Sequence, residues 1–321
     1  MLRRLLVVGL VSLCLAAPAQ AGTVAIFYYA WYGTPARDGG WQHWDQNGHA
    51  PPTDVYSRFY PARGPYSSSD PAVVDGQMAE IAAAGIDQVI VSWWGRGSIE
   101  DARLPMVMAA ARRHGLGVAI HLEPYPGRST DTVLDDANYL AALGIRDIYV
   151  YHPRDIAAAD WATLRPQLPR SIRLFAGTQL VGFAAAAKFD GFYTYDFVNF
   201  GGAKFARLCA QAHAVHLLCA PSVGPGYDGT RAGETALTGA ATNRRRGQTY
   251  DALWTAAIAA RPDIVTITSY NEWGEGTQIE PAKPRPGYLA YDGAWGLTGA
   301  AAMTAYLLRT AYWTTRFHSG P

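Results

Sequence analysis

The chain has 321 residues, with 27 Lys and Arg against 26 Asp and Glu and a net charge of +1. That balance argues against a dedicated nucleic-acid binder, which carries a basic excess to neutralise phosphates. Apolar residues make up 49% and charged residues 17%, the latter below the roughly 25% of an average soluble domain. There is material for a large core, and no compositional case for disorder.

The first 21 residues read MLRRLLVVGLVSLCLAAPAQA. Arg3 and Arg4 form a positive start, Leu5 to Ala17 an apolar stretch, and Ala19-Gln20-Ala21 a small-residue cleavage site. This predicts a secretory signal peptide cut after Ala21, and hence a secreted or periplasmic protein. The apolar run falls short of the ~20 residues needed to cross a bilayer, and no later segment is long and apolar enough to do so. Cleavage removes two arginines and Cys14, turning the net charge to −1. Cys209 and Cys219 remain, open to one disulfide or to two buried thiols. No Cys/His cluster has zinc-ligand spacing, and neither a metal nor an organic cofactor is expected.

Short β-rich runs follow at residues 24–29, 88–93, 118–122, 147–151, 172–176, 191–195, 216–220 and 264–269. Ala-rich amphipathic stretches at 72–84, 104–114, 131–143, 181–187, 203–213 and 247–260 separate them, with another at 299–309. Asp70-Pro71 is a helix start signal, and Gly85 and Gly115 are helix stops. Strand–helix alternation implies parallel pairing. Eight repeats predict an α/β fold, a single-domain (β/α)8 TIM barrel over residues 22–321, rather than an open doubly wound sheet. The first βα loop, residues 30–70, is long enough to be functional.

In a barrel, function collects where strands end. There the sequence reads YYAWYG (from Tyr28), SWWG (from Ser92), HLEPY (from His121), YTYD (from Tyr193), SVGPGYD (from Ser222) and YNEWGEGTQIE (from Tyr270). Six of the ten tryptophans, Trp31, Trp41, Trp44, Trp93, Trp94 and Trp273, fall on this rim. A single such ring would be read as packing of the upper barrel layer. Six beside Tyr29, Tyr125, Tyr193, Tyr195 and Tyr227 suggest faces that stack on sugar rings.

Glu272 and Glu275 are the sharpest feature. Three residues apart just past the last strand, they share a face if the turn is helix-like. Glycosidic hydrolysis needs such a pair, one carboxyl protonated and one ionised, and a partly apolar cleft separates their pKa values. His121 and Glu123 alternate on a strand and so share one face; two ligands without a third favour sugar hydroxyl contacts over a metal. His43, Asp45 and Asn271 are hydroxyl contacts of the same kind. Arg244-Arg245-Arg246 reads as the solvated start of a helix.

Together these segments are recognisable. YYAWYGTP, SRFYPARGPYSSSDP, AGIDQVIVSWWG, HLEPYPGR, DGFYTYD, SVGPGY and ITSYNEWGEGTQIEPA resemble glycoside hydrolase family 99, in family order from Tyr28 to Ala282. That family contains endo-α-1,2-mannosidases and endo-α-1,2-mannanases. The resemblance implies a (β/α)8 barrel without a cofactor that hydrolyses α-mannosidic bonds within a chain and retains configuration. It further implies that Glu272 takes the proton of the sugar's 2-hydroxyl to give a 1,2-anhydro sugar, and that Glu275 protonates the leaving oxygen and then activates water. Glu123, Trp94, Tyr195 and the His43-Trp44-Asp45 segment would line the sugar subsites. Two departures stand out: Gly274 replaces a common His, and Ala-Gly-Glu follows Arg231 where the family tends to carry Arg-Pro-Trp-Asn. The expected partner is an oligosaccharide or polysaccharide. A silent carbohydrate-binding barrel and an enzyme processing exported polysaccharide of another sugar are the competing readings.

Overall fold

The computed structural model describes residues 22–233 and 242–320. The expected signal peptide, with its cleavage site and Cys14, lies outside the described residues, as does Glu234 of the altered segment after Arg231. Eight parallel strands close into a barrel in chain order: β1 Thr23–Tyr28, β2 Gln88–Trp93, β3 Gly117–Leu122, β4 Asp147–Val150, β5 Arg173–Gly177, β6 Gly191–Thr194, β7 Leu218–Val223 and β8 Ile264–Ile267. β1 pairs with β8 to complete the ring. One principal helix follows each strand: α1 Pro71–Ala83, α2 Ile99–Arg113, α3 Thr130–Ala142, α4 Ala158–Leu164, α5 Val181–Ala186, α6 Phe205–His213, α7 Gln248–Ala259 and α8 Ala305–His318. The expected fold class is thus observed.

Local chemistry sets the boundaries. Asp70 caps α1 by accepting the Ala72 N–H, and Pro71 sits where no intrahelical N–H is needed. Gly85 and Gly115 take positive φ angles of 71° and 75° just past their helices, conformations that cost glycine little. α2 starts five residues earlier than expected because Ser98 accepts the Asp101 N–H as N-cap. β7 starts two residues later than expected: the N–H groups of His216 and Leu217 are taken by His213 and Ala212 of the preceding helix end. β8 is two residues shorter than expected, since the Ser269 N–H turns to the Thr277 carbonyl. α4 was absent from the expected helices, and α8 runs well past its expected end.

Strand alternation divides the aromatic residues into two layers. Phe27, His121, Tyr149, Phe175, Tyr193 and Tyr195 point inward and pack on one another, with Tyr149 and Phe175 stacked 4.6 Å apart. This interior layer is the floor of the barrel mouth. Tyr28 points outward and donates to Gln77 of α1 (2.6 Å). Cys209 of α6 and Cys219 of β7 form a disulfide.

The loop after β1 has its own core. Tyr32, Trp44, Tyr56 and Tyr66 are buried in it, and Tyr32 stacks on Trp44 at 4.2 Å. Buried Arg103 of α2 ties the loop down: its guanidinium donates to the Ala30 carbonyl (2.8 Å), Asp38 (2.9 Å), Gln42 (2.8 Å) and Ser69 (2.9 Å). Four hydrogen bonds from one planar side chain hold about 40 residues of irregular backbone over the barrel mouth.

Candidate active site

The chain leaves β8 in a compact turn over residues 269–280, pinned mainly by short-range bonds. The Ser269 hydroxyl accepts the Glu272 N–H (2.8 Å) and pairs with the Thr277 hydroxyl (2.9 Å). The Asn271 side chain behaves like a strand neighbour to Tyr29, accepting its N–H (2.8 Å) and donating to its carbonyl (2.9 Å). The backbone here is a turn rather than a helix, and it sorts its residues by direction. Asn271 and Trp273 turn back into the protein, while Glu272 and Glu275 both face a cleft of about 250 Å³ at the barrel mouth.

Glu272 is buried, and its Oε1 accepts the Gly274 N–H at 3.0 Å. Glu275 Oε2 accepts the Tyr195 hydroxyl at 3.0 Å, and Tyr195 in turn meets the Tyr29 hydroxyl at 2.5 Å. Burial holds both tyrosines well above the ordinary phenol range, and the neighbouring carboxylates Glu275 and Glu272 push them further. Both therefore stay neutral across physiological pH, Tyr195 donating to Glu275 and Tyr29 to Tyr195. On the facing wall Glu123 Oε1 accepts the Ser92 hydroxyl (2.8 Å) and lies 2.9 Å from His121 Nδ1. His121 Nε2 meets the Tyr193 hydroxyl at 2.8 Å.

Rings complete the cleft. Trp31 and His43 stack at 4.3 Å with planes 9° apart, and Tyr29 packs beside them. His43 is pushed down to about 4 by burial and by the Arg103 charge, so at neutral pH it is an uncharged aromatic face. Trp94 is 39% exposed on the opposite side, free to offer its face to a ligand. Tyr29, Trp31, His43, Trp94, His121, Glu123, Tyr195, Glu272 and Glu275 thus converge on one cleft.

Nine other expected residues lie elsewhere. Trp93 points outward, donating to Asp101 of α2 (3.0 Å) and stacking on Tyr139 of α3. Trp44 is buried in the loop core with its indole N–H on the Tyr66 carbonyl (2.7 Å), and the next residue, Asp45, is exposed outside the cleft. Trp273 is buried and donates to Glu280 (2.9 Å). Asn271 is occupied by Tyr29, and Tyr193 lies in the barrel floor. Tyr125 donates to Asp136 of α3, and Tyr227 lines neighbouring cavities instead. Trp41 is partly buried against the hydrophobic core. Of six rim tryptophans only Trp31 and Trp94 line the cleft.

Gln46, Tyr56, Pro124 and Tyr151 line the cleft without having been singled out. Tyr151 directly follows β4, so the strand-end rule could have found it. Tyr56 comes from mid-loop, where no periodicity marks direction. Arg244 is a correction of a different kind. It is no solvated helix start: its guanidinium lies over the rings of Phe59, Tyr291 and Tyr306 (4.5, 4.8 and 4.6 Å) and donates to the Gly276 and Gln278 carbonyls (3.0 and 2.6 Å).

The sequence profile of glycosyl hydrolase family 99 matches residues 20–156 and 171–319. The chain belongs to glycosyl hydrolase family 99. It is 35% identical over 320 residues to a glycoprotein endo-alpha-1,2-mannosidase-like protein of Danio rerio, covering 82% of this chain and 71% of the relative. A glycoprotein endo-alpha-1,2-mannosidase of Rattus norvegicus is 31% identical, with 82% and 68% covered. The GH99 endo-alpha-mannosidase structure from Bacteroides thetaiotaomicron superposes with a TM-score of 0.82 at 31% identity, over 92% of this chain and 97% of that one. As a member of family 99 the protein is a glycoside hydrolase, and an oligosaccharide is its substrate class.

Proposed function

We propose that this glycoside hydrolase is an exported, retaining, endo-acting α-mannosidase that cuts α-1,2-mannosidic bonds. The observation that carries this reading is the pair Glu272 and Glu275, facing one ring-lined cleft from a single turn. The relatives named as an endo-alpha-1,2-mannosidase and an endo-alpha-mannosidase favour mannose as the sugar. The leader-like first 21 residues and the Cys209–Cys219 disulfide favour export to an oxidising compartment.

In this reading Glu272 is the base. It takes the proton of the 2-hydroxyl, whose oxygen attacks the anomeric carbon as the glycosidic bond breaks. Glu275 delivers its proton to the departing oxygen, leaving a 1,2-anhydro sugar. The ionised Glu275 then takes a proton from water, which opens the epoxide at the anomeric carbon, while the protonated Glu272 returns its proton to the oxygen at C2 and restores the 2-hydroxyl. Two inversions give net retention with no bond between enzyme and sugar. The Gly274 N–H on Glu272 and the Tyr195 hydroxyl on Glu275 hold the carboxylates in place.

The deciding experiment is an oligosaccharide panel with product mapping, run on the wild type and on Glu272→Gln and Glu275→Gln. Both variants should lose at least about a thousandfold in kcat while still binding substrate. Release of internal fragments from α-1,2-mannan supports the reading. Full activity in either variant, or a covalent sugar on Glu272 by mass spectrometry, overturns the corresponding role.

A further inference from the structure

Behind the catalytic turn, on the side away from the cleft, lies a carboxylate that the mechanism does not use. Glu280 is fully buried, and each of its oxygens accepts two hydrogen bonds. Oε1 takes the Gln77 amide of α1 (2.9 Å) and an Arg63 N–H (3.2 Å). Oε2 takes the Tyr66 hydroxyl (2.7 Å) and the Trp273 indole N–H (2.9 Å). The partners are themselves fixed. Gln77 accepts from Tyr28 at 2.6 Å, and Arg63 also pairs with Glu80 at 2.6 Å.

The decisive detail is which residues this network grips. Trp273 follows Glu272 in the chain and binds Glu280 directly. Asn271 precedes Glu272, and its side-chain amide donates to the same Tyr66 hydroxyl (3.1 Å) that binds Glu280. Both neighbours of Glu272 are therefore tied to one buried carboxylate, one directly and one through a single hydroxyl. Glu280 in turn joins α1 and the first loop to the turn. A side chain whose two flanking residues are fixed has little freedom left except its own rotamer, and catalytic groups need placement within a fraction of an ångström.

We infer that Glu280 is a positioning residue for catalysis, a buried hub that sets where Glu272 stands by clamping Asn271 and Trp273. This rests on the reading of Glu272 as the base. An ordinary stabilising ion pair would not need both neighbours of one carboxylate on its bonds, nor all four acceptor positions filled. Glutamine cannot replace it silently, because its amide would turn a donor toward donors.

The test compares Glu280→Gln and Tyr66→Phe with wild type on an α-1,2-linked manno-oligosaccharide, after thermal unfolding has shown that each variant is folded. Tyr66→Phe keeps the ring and removes both the bond to Glu280 and the acceptor for Asn271, and it decides alone if Glu280→Gln fails to fold. Expected is a fall in kcat of at least about 30-fold for Glu280→Gln and about tenfold for Tyr66→Phe, with KM within about threefold of wild type. Folded variants with kcat within twofold of wild type overturn the inference. So does a loss shared equally by kcat and KM, which marks a general loosening of the cleft. Glu272→Gln is assayed in parallel. If it stays active, the base assignment has failed and the hub has nothing to place. If it is silent while the other two run at full rate, only the positioning role has failed.

Discussion

Gly274 is held to glycine by the ring beside it. A Cβ there would lie 2.5 Å from Tyr56 Cε2 and 3.1 Å from Glu272 Oε1. Tyr56 cannot easily retreat, since its ring packs edge-on against buried Trp44 and its backbone N–H is fixed by the Trp44 carbonyl. Gly274→Ala should therefore displace Tyr56 into the cleft and lower kcat/KM by about tenfold, the order expected when a site is shifted by under an ångström. Steady-state kinetics on the manno-oligosaccharide checks it. At this scale the sequence told which residue types would meet but not always which way they would point. Glu272 and Glu275 were legible because they directly follow an apolar strand. In Ser92-Trp93-Trp94 three neighbours look equally available, yet the register of β2 turns Ser92 inward to Glu123 and Trp93 outward to Asp101. Only Trp94, past the strand end, is left to the cleft. A sheet shifted by one residue would reverse the first two.

The element that matters most is the turn over 269–280, and Arg244 also supports it. Its Nη2 donates to the Gly276 and Gln278 carbonyls that bracket Thr277, a residue bonded to Ser269 and so to the Glu272 N–H. Arg244→Met keeps the length and most of the contact with the three rings while removing both charged hydrogen bonds. It should cost about 2–3 kcal/mol of stability and lower kcat more than it changes KM. Chemical denaturation and kinetics on the same preparation separate the two effects. Its role was illegible beforehand because the carbonyls it binds lie 32 and 34 residues further along the chain. A run of three arginines ordinarily marks solvent, and Arg245 and Arg246 do lie exposed. The barrel elements were legible because each strand–helix unit carries its own apolar run and its own stop signals.

Across the whole molecule, half-buried His43 and buried Glu280 pull the pH dependence of stability in opposite directions. Burial lowers His43 to about 4, so the unfolded chain binds a proton there below ~6.5 that the folded chain refuses. Its contribution to stability is present above ~6.5 and is lost as pH falls toward 4. Burial raises Glu280 to about 7, with the Arg63 charge and its hydrogen bonds pulling the other way. The folded chain keeps that proton after the unfolded chain has released it, so stability is lost as pH rises from about 4.5 to 7. Between about 4.5 and 6.5 the two slopes oppose each other. His43→Asn should remove one of them, so that stability relative to wild type declines more steeply as pH rises across that interval. Urea unfolding at several pH values measures the slope, and an unchanged slope would show that His43 titrates normally in the fold.

The pairing of β1 with β8, extended by Asn271 on Tyr29 across 242 residues, also governs how the enzyme comes into being. Closing so long a loop costs about 5 kcal/mol in chain entropy, and contacts this distant form late in folding. Seven strands emerge in synthesis before the eighth can dock, and only then do the two glutamates meet the tyrosines and tryptophan supplied by the first loop. On the roles proposed for Glu272 and Glu275, the barrel's last seam is its reacting edge. Hydrolysis is thus a property of the finished ring alone, and the appearance of activity in a refolding chain is a clock for closure.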